Sequence, residues 1–123
     1  MTGSDKLVLV VDDSPTIRKI VEVTLKREGY RVNTCDSAMK ALASIADEVP
    51  DVVLLDVLLP VMDGYHVCSI IRKRYGRNVP VVMLTSKDGL FDKLRGKMAG
   101  CTDYMTKPFE PRQLVEVVGK YAA

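Results

Sequence analysis

The feature that most constrains this chain is a short apolar run, residues 52–55, that stands between Asp51 and Asp56. An unbroken apolar run of this length is typical of a strand buried on both faces of a sheet. Asp56 ends the run, where the loop over residues 57–64 begins. In open α/β sheets, ligands bind at this end of the strands. From this stretch alone, Asp56 is either a functional carboxylate, as a cation ligand or nucleophile, or a turn aspartate that caps the next element.

Strand and helix patterns alternate along the rest of the chain. Each apolar or alternating run is followed by apolar residues at helical spacing, which predict a helix. Each predicted helix begins at a capping residue or a proline and ends before a glycine or the next strand. The predicted strands are residues 7–11, 31–35, 52–55, 80–84 and 102–105. The predicted helices open at Ser14-Pro15, Ser37, Asp63-Gly64, about Asp88, and Pro111. In the first helix, the residues predicted to face the core are Ile17, Ile20, Val21, Thr24 and Leu25.

This alternation predicts an α/β fold. Strands that alternate with helices pair in parallel through right-handed crossovers, so helices cover both faces of one doubly wound sheet. The length of 123 residues fits a single domain over residues 1–123, and a hydrophobic content of 47% is sufficient for its core.

Composition excludes several classes of function. The net charge of +2 gives no general signal for nucleic acid, and no apolar run is long enough to cross a membrane. The N-terminus lacks a signal-peptide pattern, so a cytoplasmic location is expected. Cys35, Cys68 and Cys101 show no metal-binding spacing and are expected to be small buried thiols rather than redox groups.

Side chains with chemical function stand at four predicted strand ends. Asp12 and Asp13 follow the first strand, Asp56 the third, Thr85 the fourth and Lys107 the fifth. Because these strand ends share one edge of a parallel sheet, the groups are expected to converge. Converging carboxylates repel one another unless a proton or cation intervenes, and Mg²⁺ favours carboxylate oxygens. Together the groups indicate a phosphoryl-transfer site, although each residue taken singly could be a helix cap or solvated charge.

Four motifs at these positions resemble the receiver domain of two-component response regulators. They are Val-Asp12-Asp13-Ser-Pro, Leu-Leu-Asp56 followed by Leu-Pro60-x-Met-Asp-Gly64, Leu-Thr85-Ser, and Tyr104-Met-Thr-Lys107-Pro108-Phe109. The resemblance spans the whole chain. A shorter stretch, Thr85-Ser-Lys-Asp-Gly-Leu-Phe-Asp-Lys-Leu-Arg-Gly, is similar to regulators of the twitching-motility PilG type.

The resemblance implies a flavodoxin-like (βα)5 fold with strand order 2-1-3-4-5. It implies a single-domain signalling module rather than an enzyme, with limited self-phosphorylation and self-dephosphorylation. Asp56 would accept a phosphoryl group from the phosphohistidine of a histidine kinase, in motility or chemotaxis-like signalling. The ligands of Mg²⁺ would be Asp12, Asp13, Asp56 and the backbone carbonyl of Leu58.

The same resemblance implies a switch. Lys107 would contact the phosphoryl group, and Thr85 and Tyr104 would form the switch pair, with the hydroxyl moving to the phosphate and the ring turning inward. The Lys107-Pro108 bond would be cis. Leu58 and Lys87 depart from the polar or acidic residues common at these positions, so slow self-dephosphorylation is expected. The lone His66 is expected to lie at the surface rather than to relay phosphate.

The predicted fourth helix carries a local excess of positive charge. Its basic residues are Lys87, Lys93, Arg95 and Lys97, and the adjacent fifth helix offers Val117 and Tyr121 outside its main apolar stripe. Such a run is either a solvated helix face or the basic rim of a docking surface. We expect a protein partner, or a second copy of the chain, to bind the fourth helix, fifth strand and fifth helix.

Two alternatives remain open from the sequence. A phosphatase of the haloacid dehalogenase type also combines Asp, Thr, Lys and Mg²⁺, but it needs Asp-x-Asp after the first strand, where this chain has Asp12-Asp13. A receiver fragment of a longer regulator is the other alternative. Because no effector sequence follows Tyr121, DNA binding by this chain is not expected.

Overall fold

The computed structural model describes residues 5–86, 97 and 99–122. Its strands are β1 (Leu7–Val11), β2 (Arg31–Cys35), β3 (Val52–Asp56), β4 (Val81–Thr85) and β5 (Asp103–Thr106). Its helices are α1 (Pro15–Arg27), α2 (Ala38–Asp47), α3 (Gly64–Tyr75) and the C-terminal helix (Pro111–Tyr121). Lys97 and Ala99 are also helical, whereas the rest of the predicted fourth helix lies outside the described residues.

The five strands form one parallel sheet in the order β2-β1-β3-β4-β5. The predicted fold class and strand order are therefore confirmed. β3 lies at the centre, where Leu55 pairs with Val11 and Asp56 pairs with Leu84. This register places the end of β3 between the ends of β1 and β4, so Asp56 lies in the middle of the carboxyl edge.

The central strands consist almost entirely of apolar residues because they contribute to two hydrophobic clusters, one on each face of the sheet. Alternate residues of β1, β3 and β4, such as Leu9, Val53 and Met83, pack on the side of α2 and α3. The intervening residues, such as Val10 and Leu54, pack on the side of α1 and the C-terminal helix. All residues of β1, β3 and β4 are buried, as expected for strands covered on both faces.

Capping residues fix the starts of the helices as predicted. The side chains of Ser14, Ser37 and Asp63 each accept a hydrogen bond from the backbone N–H three residues further on. Pro111 occupies the first turn of the C-terminal helix, after a capping box in which Glu110 and Gln113 satisfy each other's backbone N–H groups. These local contacts set where each helix leaves the carboxyl edge.

Two details of the sequence prediction are wrong. Ile20 is 41% exposed, because the buried stripe of α1 is narrow and runs through Val21 and Leu25. β5 begins at Asp103 rather than at residue 102. The Thr102 hydroxyl accepts a hydrogen bond from the Val81 N–H at 2.9 Å, so Thr102 joins the sheet through its side chain before the regular ladder starts.

The cysteines behave largely as small core residues. Cys35 and Cys68 are buried and Cys101 is half-buried, and all are free thiols. Burial raises the pKa of the Cys68 thiol to about 11, which keeps it protonated and unreactive at neutral pH. Within the described ranges, no helix has the length and apolar character needed to cross a membrane.

Candidate functional site

The carboxyl edge of the sheet brings most of the predicted functional groups together. Asp12 directly follows β1, Asp56 and Thr85 are the last residues of β3 and β4, and Lys107 directly follows β5. Asp12, Asp56 and Thr85 are buried, with exposed fractions of 0%, 5% and 6%. Buried polar groups at strand ends are rare in a core of this kind, so their grouping indicates a functional site.

Asp12 is fully buried, and hydrogen bonds hold both its carboxylate and its backbone carbonyl. Its Oδ1 accepts a hydrogen bond from the Ser14 N–H at 2.9 Å, and its Oδ2 accepts one from the Lys107 ammonium at 2.6 Å. The Arg18 guanidinium donates to the backbone carbonyl of Asp12 at 2.7 Å. These contacts fix the turn between β1 and α1 and supply the charge partner that a buried carboxylate requires.

Asp56 has a less complete set of partners. Its Oδ1 accepts a hydrogen bond from the Leu58 N–H at 3.1 Å, and the Lys107 ammonium lies 3.5 Å away. Burial raises the pKa of the Asp56 carboxyl above its ordinary value. The hydrogen bond from the Leu58 amide lowers this pKa, the negative charge of Asp12 raises it further, and the positive charge of Lys107 lowers it. The carboxylate is therefore short of positive charge, as expected of a group poised to bind a cation.

Asp12, Asp13 and Asp56 form an acidic cluster at this edge. One carboxylate oxygen from each residue lies within 4.8 Å of the other two, and Asp13 is exposed while the other two are buried. Carboxylate oxygens on one side and open solvent on the other suit Mg²⁺, which binds one or two carboxylates and retains several waters. The donor set therefore fits this ion.

Gly64 lies against the backbone of Asp56 at the start of α3. A Cβ added at this position would collide with the Asp56 carbonyl oxygen and would lie 3.1 Å from the Met83 side chain. The Gly64 N–H also donates to the Val57 carbonyl at 2.9 Å. Only glycine therefore allows α3 to pack this closely against the end of β3.

We expect Gly64→Ala to lower the free energy of unfolding by about 3 kcal/mol, the upper end of the usual cost of overpacking, because backbone, unlike a flexible side chain, cannot move aside easily. Gly119→Ala is the matched control. A Cβ at Gly119 meets nothing within 4 Å, so this change should stabilise the C-terminal helix by about 0.5–1 kcal/mol. Urea unfolding followed by circular dichroism measures both. Similar effects of the two changes would contradict the importance of the Gly64 contact.

The predicted switch residues lie on neighbouring strands. Thr85 ends β4, and its carbonyl accepts a hydrogen bond from the Lys107 N–H at 2.6 Å. Tyr104 lies on β5, where its half-buried ring packs on the α2 and α3 side of the sheet. The Lys107-Pro108 peptide bond is cis, as predicted.

The loop between β3 and α3 presents apolar side chains beside the acidic cluster. Leu58 is 70% exposed and Val61 is fully exposed, whereas Leu59 is buried and anchors the loop. Val61 has φ +70°, and the Met62 N–H donates to the Pro60 carbonyl at 2.7 Å. This is a γ-turn centred on a β-branched residue in the left-handed region, which is a strained arrangement.

Some site residues could not be assigned from sequence. The contact of Arg18 with the Asp12 carbonyl has no sequence signature, because a long side chain can reach acceptors in several directions. For Gly64 the available signal was the Asp-Gly pair that opens α3, which predicts a helix start but not the contact with Asp56. His66 is exposed, as expected. Lys87 lies outside the described residues.

Comparison with known proteins identifies the family. The profile of the response regulator receiver domain matches residues 8–119. The chain therefore belongs to the response regulator receiver domain family, and it is a two-component signalling module of the CheY type rather than a classical enzyme such as a dehalogenase-type phosphatase.

Individual relatives agree with this assignment. The chain is 43% identical to Protein PilG of Pseudomonas aeruginosa over 112 residues, which are 90% of this chain and 83% of that protein. The solved structure of the chemotaxis response regulator CheY4 of Vibrio cholerae is 35% identical, with a TM-score of 0.90, and covers 95% of this chain and 98% of that one. The solved structure of a CheY-like receiver domain protein of Methanospirillum hungatei JF-1 is 30% identical, with a TM-score of 0.90. This match covers 97% of this chain and 94% of that one. The resemblance to the PilG type is thus confirmed.

Proposed function

We propose that Asp56 accepts a phosphoryl group from the phosphohistidine of a histidine kinase. A carboxylate oxygen of Asp56 forms the new P–O bond while the P–N bond of the donor breaks and the imidazole leaves with a proton. The observation that carries this proposal is the position of Asp56. It is the buried carboxylate at the centre of the carboxyl edge, and Lys107 and an acidic cluster lie beside it.

Asp12, Asp13 and Asp56, with the backbone carbonyl of Leu58, would hold Mg²⁺. When bound, the ion supplies positive charge that offsets the charge on the carboxylates and on the incoming phosphoryl oxygens. Lys107 already bridges Asp12 and Asp56 at 2.6 and 3.5 Å, so its ammonium needs to move little to contact a phosphoryl group on Asp56. Its charge-assisted hydrogen bond would link the phosphate to the loop after β5.

Thr85 and Tyr104 would then convert the modification into a change of surface. The Thr85 hydroxyl ends the strand beside β3, and Tyr104 stands on the next strand, paired with Met83. Movement of the hydroxyl toward the phosphate would open space at the end of β4 into which the Tyr104 ring can turn.

The direct test of acceptor chemistry is labelling of the purified protein with acetyl phosphate. We expect one phosphoryl group per chain with Mg²⁺ and none in excess chelator, measured by intact mass, because the phosphoryl oxygens need a cation beside three carboxylates. Equal labelling in the presence of chelator would contradict the role of the acidic cluster.

We further propose that the output belongs to motility or chemotaxis-like signalling. This proposal rests on the likeness to PilG and to a chemotaxis response regulator. The matched part of this chain corresponds to 83% of the length of PilG, so the comparison covers most of that relative.

The lifetime of the phosphorylated state is expected to depend on Leu58. Its side chain is 70% exposed and stands two residues after Asp56, where it would cover part of the approach for water. Leu58→Asn should therefore shorten the lifetime, because a polar side chain can position the attacking water. The decay of phosphorylated protein on a phosphate-affinity gel measures this. Val61→Asn, in the same loop, is the control, and a lifetime unchanged or lengthened in Leu58→Asn would contradict the shielding role.

The proposed output surface comprises the predicted fourth helix, β5 and the C-terminal helix. Val117 and Tyr121 are half-buried on this side, and the Tyr121 hydroxyl donates to Asp103 at 2.6 Å, which ties the helix to β5. Of the predicted basic rim, Lys97 is described and is exposed. A surface that couples Tyr104 to the last helix in this way suits a partner, or a second copy, that binds after phosphorylation.

Chemical-shift mapping with and without beryllofluoride tests the output surface. We expect changes at Tyr104, Asp103 and Tyr121, in addition to those around Asp56, because β5 joins the site to the last helix. Changes confined to the site and α1 would place the output elsewhere.

A further inference from the structure

A second charged feature lies away from the acidic cluster, at the far end of α3. No Asp or Glu stands between Asp63 and Asp88, whereas Arg72, Lys73, Arg74 and Arg77 all fall in this interval. In a chain whose net charge is only +2, such segregation of one sign of charge produces a local positive field.

The structure gathers part of this charge around a depression of about 390 Å³. Its lining consists of three basic side chains from three segments, Arg72, Arg77 and Lys97, together with Gly76, Ala99 and Gly100. We call this feature the basic depression. Gly76 has φ +66° and open space where a Cβ would stand, so nothing at this position blocks access to the basic groups.

Arg72 forms the rigid base of the depression. Its guanidinium donates to the carbonyls of Gly100 at 2.6 Å, Gly76 at 3.1 Å and Val79 at 2.6 Å, and to the Thr102 hydroxyl at 3.0 Å. These contacts use four of its five N–H donors, and every acceptor is neutral. The side chain is therefore held in one position, and no carboxylate of the described residues forms an ion pair with it.

The neighbouring cations also have no acidic partner in the part of the chain that the structure describes. The ion pairs among the described residues use Lys26, Arg31, Lys40 and Lys107. None of them involves Lys73, Arg74, Arg77 or Lys97. The helix dipole accounts for basic residues in the last turn of α3, but it does not account for Arg77, beyond the helix, or Lys97, from another segment. Among residues 5–86, 97 and 99–122, these cations are therefore available to an external anion.

We infer that the basic depression is a docking site for an acidic segment of a protein partner. The described lining offers cations above glycine and alanine, with no aromatic or large apolar side chain among the described residues, so it favours carboxylates over a nucleobase or an apolar anchor. Its small extent does not provide the continuous basic track that a nucleic acid backbone needs. Arg77 presents a fork that matches a carboxylate, and Lys97 adds a second charge for the next acidic residue.

Lys97 belongs to the predicted fourth helix and so to the proposed output surface, whereas Arg72 and Arg77, at or just beyond the end of α3, are not part of that surface. Because two of the three cations of the depression are these arginines, docking is expected to depend little on phosphorylation. α3 begins beside Asp56 and ends at the opposite edge of the sheet, about 18 Å away for a helix of 12 residues. At that distance the charge of a phosphoryl group on Asp56 is largely screened at physiological ionic strength. An acidic partner could thus hold the protein in both signalling states, while the carboxyl edge remains available to the kinase.

The test uses a fluorescein-labelled oligoglutamate peptide and the full chain, with binding followed by fluorescence anisotropy. We expect binding that weakens with added salt and changes little when beryllofluoride is added. The Arg77→Gln/Lys97→Gln double variant should bind about 5- to 30-fold more weakly, since it removes two ion pairs. Neither side chain forms a hydrogen bond or ion pair with another described residue, so unchanged thermal unfolding is expected.

The matched control is Arg27→Gln/Arg112→Gln, which removes the same charge from the groove between α1 and the C-terminal helix, where Glu28 and Glu116 offset it. This variant should retain peptide binding. Equal weakening in both double variants would overturn the proposal, because binding would then reflect net charge alone. Tighter binding to anionic lipid vesicles or to a DNA duplex than to the peptide, lost in Arg77→Gln/Lys97→Gln, would overturn the choice of an acidic protein segment.

Discussion

Asp56→Asn is expected to abolish phosphorylation by acetyl phosphate in the presence of Mg²⁺. An amide is not a nucleophile toward phosphorus, and asparagine keeps the shape of the side chain at the end of β3. Intact mass should show no phosphorylated species, whereas the parent protein gains one phosphoryl group. Asp51→Asn is the control, because Asp51 lies at the other end of the same strand, where it accepts a hydrogen bond from the Leu7 N–H at 2.7 Å. Labelling that persists in Asp56→Asn would identify another acceptor.

The same substitution has an expected effect on stability that depends on pH. Since the pKa of Asp56 is raised in the native state, the unfolded chain loses this proton at lower pH than the folded chain does. Ionisation of Asp56 therefore weakens the fold as pH rises through this interval. In chelator at neutral pH, Asp56→Asn should unfold at a higher temperature than the parent protein. The difference should vanish below the ordinary pKa of a carboxyl group, and a difference that grows in acid would contradict the burial of this charge.

The architecture could be predicted because each of its causes is local. Apolar runs at β1 and β3 signal burial on two faces, and the alternation of polar and apolar residues at β2 signals an edge. Ser14 and Ser37 signal helix starts because their caps reach only three residues along the chain. Ile20 was misassigned because helical spacing defines a face, but packing decides how much of that face is covered.

The convergence of the acidic residues could be predicted from the strand order, whereas the ion pairs that Lys107 forms within the site could not. Parallel strands place Asp12 and Asp56 at one edge whatever their side chains do. Which carboxylate Lys107 prefers is decided by three-dimensional geometry, and the structure places its ammonium closer to Asp12, at 2.6 Å, than to Asp56, at 3.5 Å. The partners of Arg72 are likewise decided by the three-dimensional fold, since its hydrogen-bond acceptors lie up to 30 residues away in sequence. The contacts of long basic side chains are therefore the part of the site that hydrophobic periodicity and motif spacing do not predict.

The pairing of Lys107 with Asp12 predicts a large effect on stability. Asp12 is fully buried, so Lys107→Ala would leave its carboxylate without a charge partner and beside two other carboxylates. We expect the free energy of unfolding to fall by about 3 kcal/mol in chelator, as measured by urea unfolding followed by circular dichroism. Lys26→Ala is the control, because its ion pair with Glu22 is exposed, and its loss should cost less than about 1 kcal/mol.

Saturating Mg²⁺ should restore part of the stability of Lys107→Ala, since a cation that binds only the folded acidic cluster stabilises the fold by mass action. Under these conditions the variant is expected to accept a phosphoryl group on Asp56, because the acidic cluster is intact. It should nevertheless lack the response of Tyr104 to beryllofluoride, because the ammonium that links the phosphate to the loop after β5 is gone. A Tyr104 chemical shift that responds as in the parent protein would show that the signal reaches β5 by another route, and stability unaffected by Lys107→Ala would contradict its role as the partner of Asp12.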